Sequence, residues 1–417
     1  DDVYRRSGFC MRCIVIFLIY LTFSVPCYAQ QREVNISYFR DLALTRSPAV
    51  SIGQQRVEAA KGRQVQAGLY PNTRVGYHAN EIGMHGSDGA HGVFLQQRFI
   101  TGGKRELDVQ IAEQAVFSEQ FFLEASKLRV LTDVDNAFGN LLIAQQKVDV
   151  LSTLVNVNRT TFDATKRLVE AGQSGKHVEW QASIELSQAE VARDQAIQEH
   201  QYAWRDLMFV CGQPNIKLVR VSGDVAKVVN GGSFQAVVES IINKSPQVAM
   251  AQQRIQQATL NVRRQKLETI PNIDAMVSLR NHSLTGDNIT NIQVGIPVPL
   301  FDKNQGNIRA AEAEEAMRRA EFRRLKLSLR QRAASVYRDF ETARIAESRY
   351  REEILGSATK NLNLITKGYQ DGQVDFLSML TAQRTLLNVQ LTYLRSSRKL
   401  HNAVTKLNGH LLFDSLR

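Results

Sequence analysis

Thr290-Asn291-Ile292-Gln293-Val294-Gly295-Ile296-Pro297-Val298-Pro299-Leu300 alternates without a break. Ile292, Val294, Ile296, Val298 and Leu300 fall on one face, and Asn291, Gln293, Gly295, Pro297 and Pro299 fall on the other. That is the period of two a half-exposed strand requires. A second alternating segment, Ile273–His282, precedes it across the polar loop 283–289, so the pair reads as a β-hairpin over 273–300. Residues 73–81 and 92–100, joined by the loop 82–91, repeat the pattern as a hairpin over 73–100.

The two hairpins belong to a duplicated chain. Ser47-Pro48 returns as Ser245-Pro246, Pro71-Asn72 as Pro271-Asn272, Lys104 as Lys303, Phe138 as Tyr337, and Gly172-Gln173 as Gly372-Gln373, at offsets of 198 to 200 residues. So long a period marks duplicated domains rather than a solenoid. The expected copies are 30–213 and 233–412, with a linker at 214–232 and a tail at 413–417. In each copy Ser-Pro opens a helix, serine as N-cap and proline in the first turn, and Pro71 or Pro271 closes it.

Beyond each hairpin comes a run without proline, about 104–170 and 307–371, which would span about 100 Å as one helix. Val134, Leu141, Val148, Val155, Phe162 and Val169 recur every seven residues, and Leu329, Val336, Ala343, Tyr350 and Leu364 follow suit, with Ser357 interrupting. Such heptads predict coiled-coil packing. The chain then turns at Gly172 or Gly372 and returns with a second seam: Ala182, Ala189, Ala196 and Ala203, or Met379, Leu386, Tyr393, Leu400 and Leu407. Each copy is thus expected to carry an antiparallel helical hairpin, over 104–210 and 307–410, with tips near 172 and 372.

Composition agrees with long helices. Only 8 prolines and 25 glycines in 417 residues exclude collagen-like and Pro-rich disordered classes. Arg5, Arg6 and Arg12 precede an apolar run at 13–21 and the small residues before Gln30, which predicts a secretory signal over 1–29, with 1–10 as an upstream extension of a start at Met11. Three of the four cysteines fall in that segment, so Cys211 alone remains and no intramolecular disulfide is possible. The rest of the chain keeps a net charge of about +10. Four strands cannot close a barrel, whereas three chains with four strands each give twelve. Apolar strands of this length suit an outer membrane.

The duplicated order, the run Ile296-Pro297-Val298-Pro299-Leu300-Phe301-Asp302-Lys303-Asn304-Gln305-Gly306-Asn307, and Gly368-Tyr369-Gln370-Asp371-Gly372 followed by Leu380-Thr381-Ala382-Gln383-Arg384-Thr385-Leu386 resemble the TolC-like outer-membrane factor family. The Pro-Leu-Phe-Asp-Lys-Asn-Gln-Gly stretch is similar to its CzcC-like, heavy-metal efflux branch. The resemblance implies a mainly α fold with a small β part: coiled-coil hairpins forming an α-barrel, and four strands per chain entering a trimeric 12-stranded transmembrane β-barrel. It implies a homotrimer in outer-membrane lipid with its helical domain in the periplasm, acting as a passive exit duct. Its partners would be a periplasmic adaptor and an inner-membrane efflux pump, and its cargo heavy-metal cations. A duct for drug efflux or type I protein secretion, or a periplasmic coiled-coil scaffold or adaptor, are the competing readings.

By the same resemblance, Ala171-Gly172-Gln173 and Asp371-Gly372-Gln373 are the adaptor-contact tips, matching the family's Val-Gly-Leu at glycine. Tyr369 matches the tyrosine of the periplasmic constriction, where Val374 replaces the basic residue and Ser378 and Thr381 replace the acidic ones, leaving Asp375 and Glu179 as the nearest carboxylates. Ile292, Val294 and Ile296 are expected to face lipid. No enzyme, cofactor, metal site or nucleic-acid partner is expected: the eight histidines form no His-x-x-x-His pair, and His78, His85, His91, His177 and His282 read as solvated. Gly102-Gly103-Lys104 lacks the rest of a phosphate loop, and Arg318-Arg319 with Arg323-Arg324 reads as a solvated helix face.

Overall fold

A computed structural model describes residues 34–83, 86, 88–223 and 232–416. The expected leader at 1–29 and His85 lie outside the described residues. In the first copy, α1 (Ile36–Arg46) and α2 (Pro48–Ala67) lead to β1 (Arg74–Asn80) and β2 (Ala90–Phe99), followed by α3 (Lys104–Glu170) and α4 (Lys176–Val210). The second copy repeats this order with α5 (Phe234–Lys244), α6 (Pro246–Lys266), β3 (Ile273–His282), β4 (Asn288–Gly295), α7 (Gln305–Arg349), α8 (Leu355–Gln370) and α9 (Phe376–Asn408). Between α7 and α8 the helix continues through a π turn, Tyr350–Ile354.

Ser47 and Ser245 do sit at the starts of α2 and α6, but neither hydroxyl makes a cap hydrogen bond. The chain arrives there from another helix, α1 or α5, and the side chains that cap are Asn35 and Ser233 at the starts of those earlier helices. Ser-Pro is therefore a kink between two helices rather than the opening of one. A helix of eleven residues shows too few turns for periodicity to announce it.

Each copy has its core where the short helices meet the middle of the long one. In the first, Phe39, Ala43 and Val50 pack on Val130, Val134, Phe138 and Leu141 of α3 and on Trp204, Leu207 and Met208 of α4. In the second, Ile241 and Val248 meet Leu329 and Ala333 of α7. Away from this belt the heptads carry the packing: Leu151 and Val155 of α3 and Ala182, Ala189 and Ala196 of α4 are buried. The copies interlock, since α3 also packs on α6 and α9.

The π turn corrects the heptad reading of the second copy. Phe138 and Tyr337 lie 199 residues apart, but Gly172 and Gly372 lie 200 apart, so one extra residue enters between them. A π turn accommodates one residue without breaking the helix. Downstream the seam moves on by one place: Ala358 is buried and Ile365 half-buried, while Ser357 is exposed and Leu364 is 71% exposed.

The two hairpins join into one antiparallel sheet in the order β1-β2-β3-β4, with β2 and β3 paired from Ala90↔His282 to Phe99↔Ile273. The last strand ends at Gly295, five residues short of the alternating run. Pro297 and Pro299 have no N–H to give to a ladder. Ile292 and Val294 therefore lie in β4, and Ile296 lies just beyond it. The outer edges of β1 and β4 have no strand partner among the described residues.

Candidate functional site

The sheet is mainly apolar on one side and mainly polar on the other, with Gln97 in the apolar-face row of Ala275 and Val294 and Ile289 in the polar-face row of Arg280. Cross-strand pairing places Val75, Leu95, Val277 and Ile292 in one row and Tyr77, Val93, Leu279 and Thr290 in the next, with Ala275 and Val294 paired below and Phe99 and Ile273 at the helical end. These apolar side chains stand in the open; Ile292 is 75% and Val294 66% exposed. The opposite face carries Arg74, Gln96, Met276 and Gln293, then Phe94, Ser278 and Asn291, then His78 and Arg280. There the side chains shield one another, Ser278 being buried. A soluble protein would hide the first face and expose the second. This one does the reverse, as a wall with lipid outside and water inside does.

Among the described residues, ion pairing on the polar face is confined to the sheet's ends. Near the helices Arg98 donates to Asp274 at 2.7 and 3.1 Å, and at the turn end His282 Nε2 faces Glu81 at 3.4 Å. Of the expected solvated histidines, His78 and His282 lie on the polar face, whereas His91, on the other, stacks on Tyr77 and hydrogen-bonds its hydroxyl. Among the described residues no group of His, Cys, Asp and Glu is placed to hold a metal ion.

Both tips have the same glycine-terminated geometry. Gly172 and Gly372 have φ of +70° and +71°. Their N–H groups bond the carbonyls of Val169 and Tyr369, and Gln173 and Gln373 bond those of Leu168 and Gly368. This double closure satisfies the orphan carbonyls of a helix end and needs a left-handed residue, which glycine supplies without strain. Nothing stands within 4 Å of where a Cβ would lie at either glycine, and Ala171, Gln173, Asp371 and Gln373 are exposed around them.

Of the three residues expected at a constriction, Tyr369 and Asp375 flank one tip and Glu179 stands at the other. Asp375 caps α9, accepting from the Ser378 N–H at 2.9 Å, and that hydrogen bonding holds its carboxyl below the usual range. Tyr369 packs its ring 6.2 Å from Phe376 across the same turn. Glu179 belongs to the other tip, 3.9 Å from Lys176. One contact that joins the helical hairpins was not announced by the sequence: Arg384 of α9 grips the Glu185 carboxylate of α4 with two nitrogens, which raises the arginine's pKa. Glu185 also accepts from Gln181, and its carbonyl from Asn158 of α3. Polar residues on buried helix positions, read together, were the available signal.

A further unannounced feature runs along α4. Trp180, Ile184, Val191, Tyr202 and Phe209 are all exposed, and helical spacing places them within about 40° of one another around the axis. So long an apolar stripe calls for a cover.

An amphipathic β-wall whose apolar face looks outward, borne on helical hairpins about 100 Å long, defines a membrane-inserted conduit protein. The chain belongs to the outer membrane efflux protein family, whose profile matches it twice, at residues 39–213 and 237–411. It is 24% identical over 307 residues to the cobalt-zinc-cadmium resistance protein CzcC of Cupriavidus metallidurans, covering 74% of this chain and 73% of that one. It is 22% identical to the outer membrane efflux protein BepC of Brucella suis, over 79% of this chain and 74% of the relative. Its fold superposes on the outer membrane protein VceC of Vibrio cholerae with a TM-score of 0.73 at 18% identity, covering 90% of this chain and 96% of that one. The protein is thus an efflux protein of the outer membrane.

Proposed function

We propose that three copies close their sheets into one 12-stranded barrel and stack their helical hairpins into a periplasmic tube, forming a passive exit duct for heavy-metal cations. The observation that carries this is the sheet: two open edges and an exposed apolar face are stable only when neighbouring strands and lipid cover them. The apolar stripe on α4 supports the same reading, because a second copy would cover it. The two tips, Ala171-Gly172-Gln173 and Asp371-Gly372-Gln373, are the contacts for a periplasmic adaptor, and an inner-membrane pump supplies the energy. Metal cargo is favoured by similarity to a cobalt-zinc-cadmium resistance protein and by the Pro299-Leu300-Phe301-Asp302-Lys303-Asn304-Gln305-Gly306 run.

The test is removal of the gene from its native strain. Lowered tolerance to cobalt, zinc or cadmium, restored by the intact gene, is the expected outcome. Unchanged metal tolerance with raised sensitivity to organic drugs would transfer the duct to drug efflux.

A further inference from the structure

On the polar face of the sheet Arg280 stands without a carboxylate counter-ion among the described residues. Arg280 of β3 lies two residues before His282, at the end of the sheet farthest from the helices. Among the described residues no carboxylate oxygen comes within 4.0 Å of it, whereas Arg98 at the other end is paired with Asp274. Its partners are neutral amides. With the Asn80 and Asn291 oxygens turned toward it, Asn80 of β1 accepts from Nη1 at 2.9 Å, and Asn291 of β4 accepts from Nε at 3.2 Å and from Nη2.

The reach from β4 to β1 depends on Gly92, directly opposite Arg280 on β2. A Cβ there would lie 2.6 Å from the arginine's own Cγ, so the side chain crosses the sheet over a bare backbone. A guanidinium has five N–H donors. The two amides engage three, which leaves two N–H groups and the full positive charge for whatever occupies the space in front of the polar face. Amides fix such a group in place without neutralising it.

We propose that Arg280, one from each of three copies, forms a ring of guanidinium groups near the outer mouth of the duct that binds polyvalent anions. This rests on the trimeric closure proposed above. Three such charges around one lumen add to its positive potential, which salt screens over a Debye length of about 10 Å at 0.1 M. The rim carboxylate Glu81 faces His282 instead.

The test uses the full trimer in planar bilayers, with hexacyanoferrate(II) as a tetravalent anion added to one side at a time. Expected is a block from the extracellular side that weakens as salt rises and loses about tenfold or more in affinity in Arg280→Gln. Asn291→Asp, which places a carboxylate against the guanidinium and keeps the brace, should weaken the block likewise if Arg280→Gln fails to assemble. Conducting pores that show no extracellular block, or a block unchanged in both variants, would overturn the proposal and leave the duct intact. Failure to form trimeric pores at all would count against the closure rather than against the ring.

Discussion

Arginine at Val294 and arginine at Gln293 should differ sharply although the positions are adjacent. Val294 pairs with Ala275, one row below Ile292 and Val277 on the apolar face, while Gln293 pairs with Met276 on the polar face. Apolar side chains on the Val294 side run from Leu279 and Val93 down to Ile273 and Phe99 and continue through Ile296 and Val298, so Val294 lies near the middle of the band. Arginine at that depth costs about 2–4 kcal/mol per chain, falling to about 0–1 near the interfaces. In a three-chain barrel each substitution occurs three times, about 6–12 kcal/mol per particle, comparable with a whole domain's stability of about 5–15 kcal/mol. Val294→Arg should therefore prevent assembly in lipid, and Gln293→Arg should leave it nearly intact. Urea titration of refolding into phosphatidylcholine vesicles reads the difference, followed by the fluorescence of buried Trp204. Equal losses at the two positions would refute the assignment of faces.

Three further outcomes follow from the helices. Gly139→Ala should destabilise by about 1–3 kcal/mol instead of gaining the usual helix propensity, because a Cβ there would lie 2.1 Å from the His401 ring, which bonds the Asp135 carbonyl at 2.8 Å. Adding His401→Ala should relieve most of the loss in the urea midpoint, and a stabilised single variant would contradict the contact. Burial holds His200 and His410 below their usual value of about 6.5, so the fold favours their neutral forms. Stability from them is complete above pH 6.5 and declines as pH falls below it, which His410→Gln should blunt between pH 7.5 and 5.5. Burial also pushes the Cys211 thiol up to about 12, so a thiol reagent at pH 8 should label it only after unfolding; labelling of the intact particle would place it elsewhere.

The fold was largely legible because its periodicities are long. The heptad repeat from Val134 to Val169, about ten turns, and an uninterrupted alternation such as Ile292-Gln293-Val294 state their secondary structure directly. What escaped were features that depend on a single residue or on distant partners. One residue inserted near Tyr350 displaced the seam from Leu364 to Ile365, and only the change of offset between Tyr337 and Gly372 hinted at it. The prolines that complete the alternation to Leu300 also end the ladder, since pattern reports side chains and pairing needs N–H groups. The faces of the sheet could be read from alternation, but Arg280's amide brace joins strands more than two hundred residues apart in sequence. Likewise the bond from the Ser378 N–H that makes Asp375 the cap of α9 was not legible in the sequence.

The closure of three sheets into one barrel is tested most directly by the mass of the particle extracted from outer membranes in detergent. Subtraction of bound detergent should leave three chains per particle, with the trimer persisting on dilution. A stable, water-soluble single chain with the same secondary structure would contradict it, because the apolar face of β1 to β4 would then have no need of lipid or of neighbours.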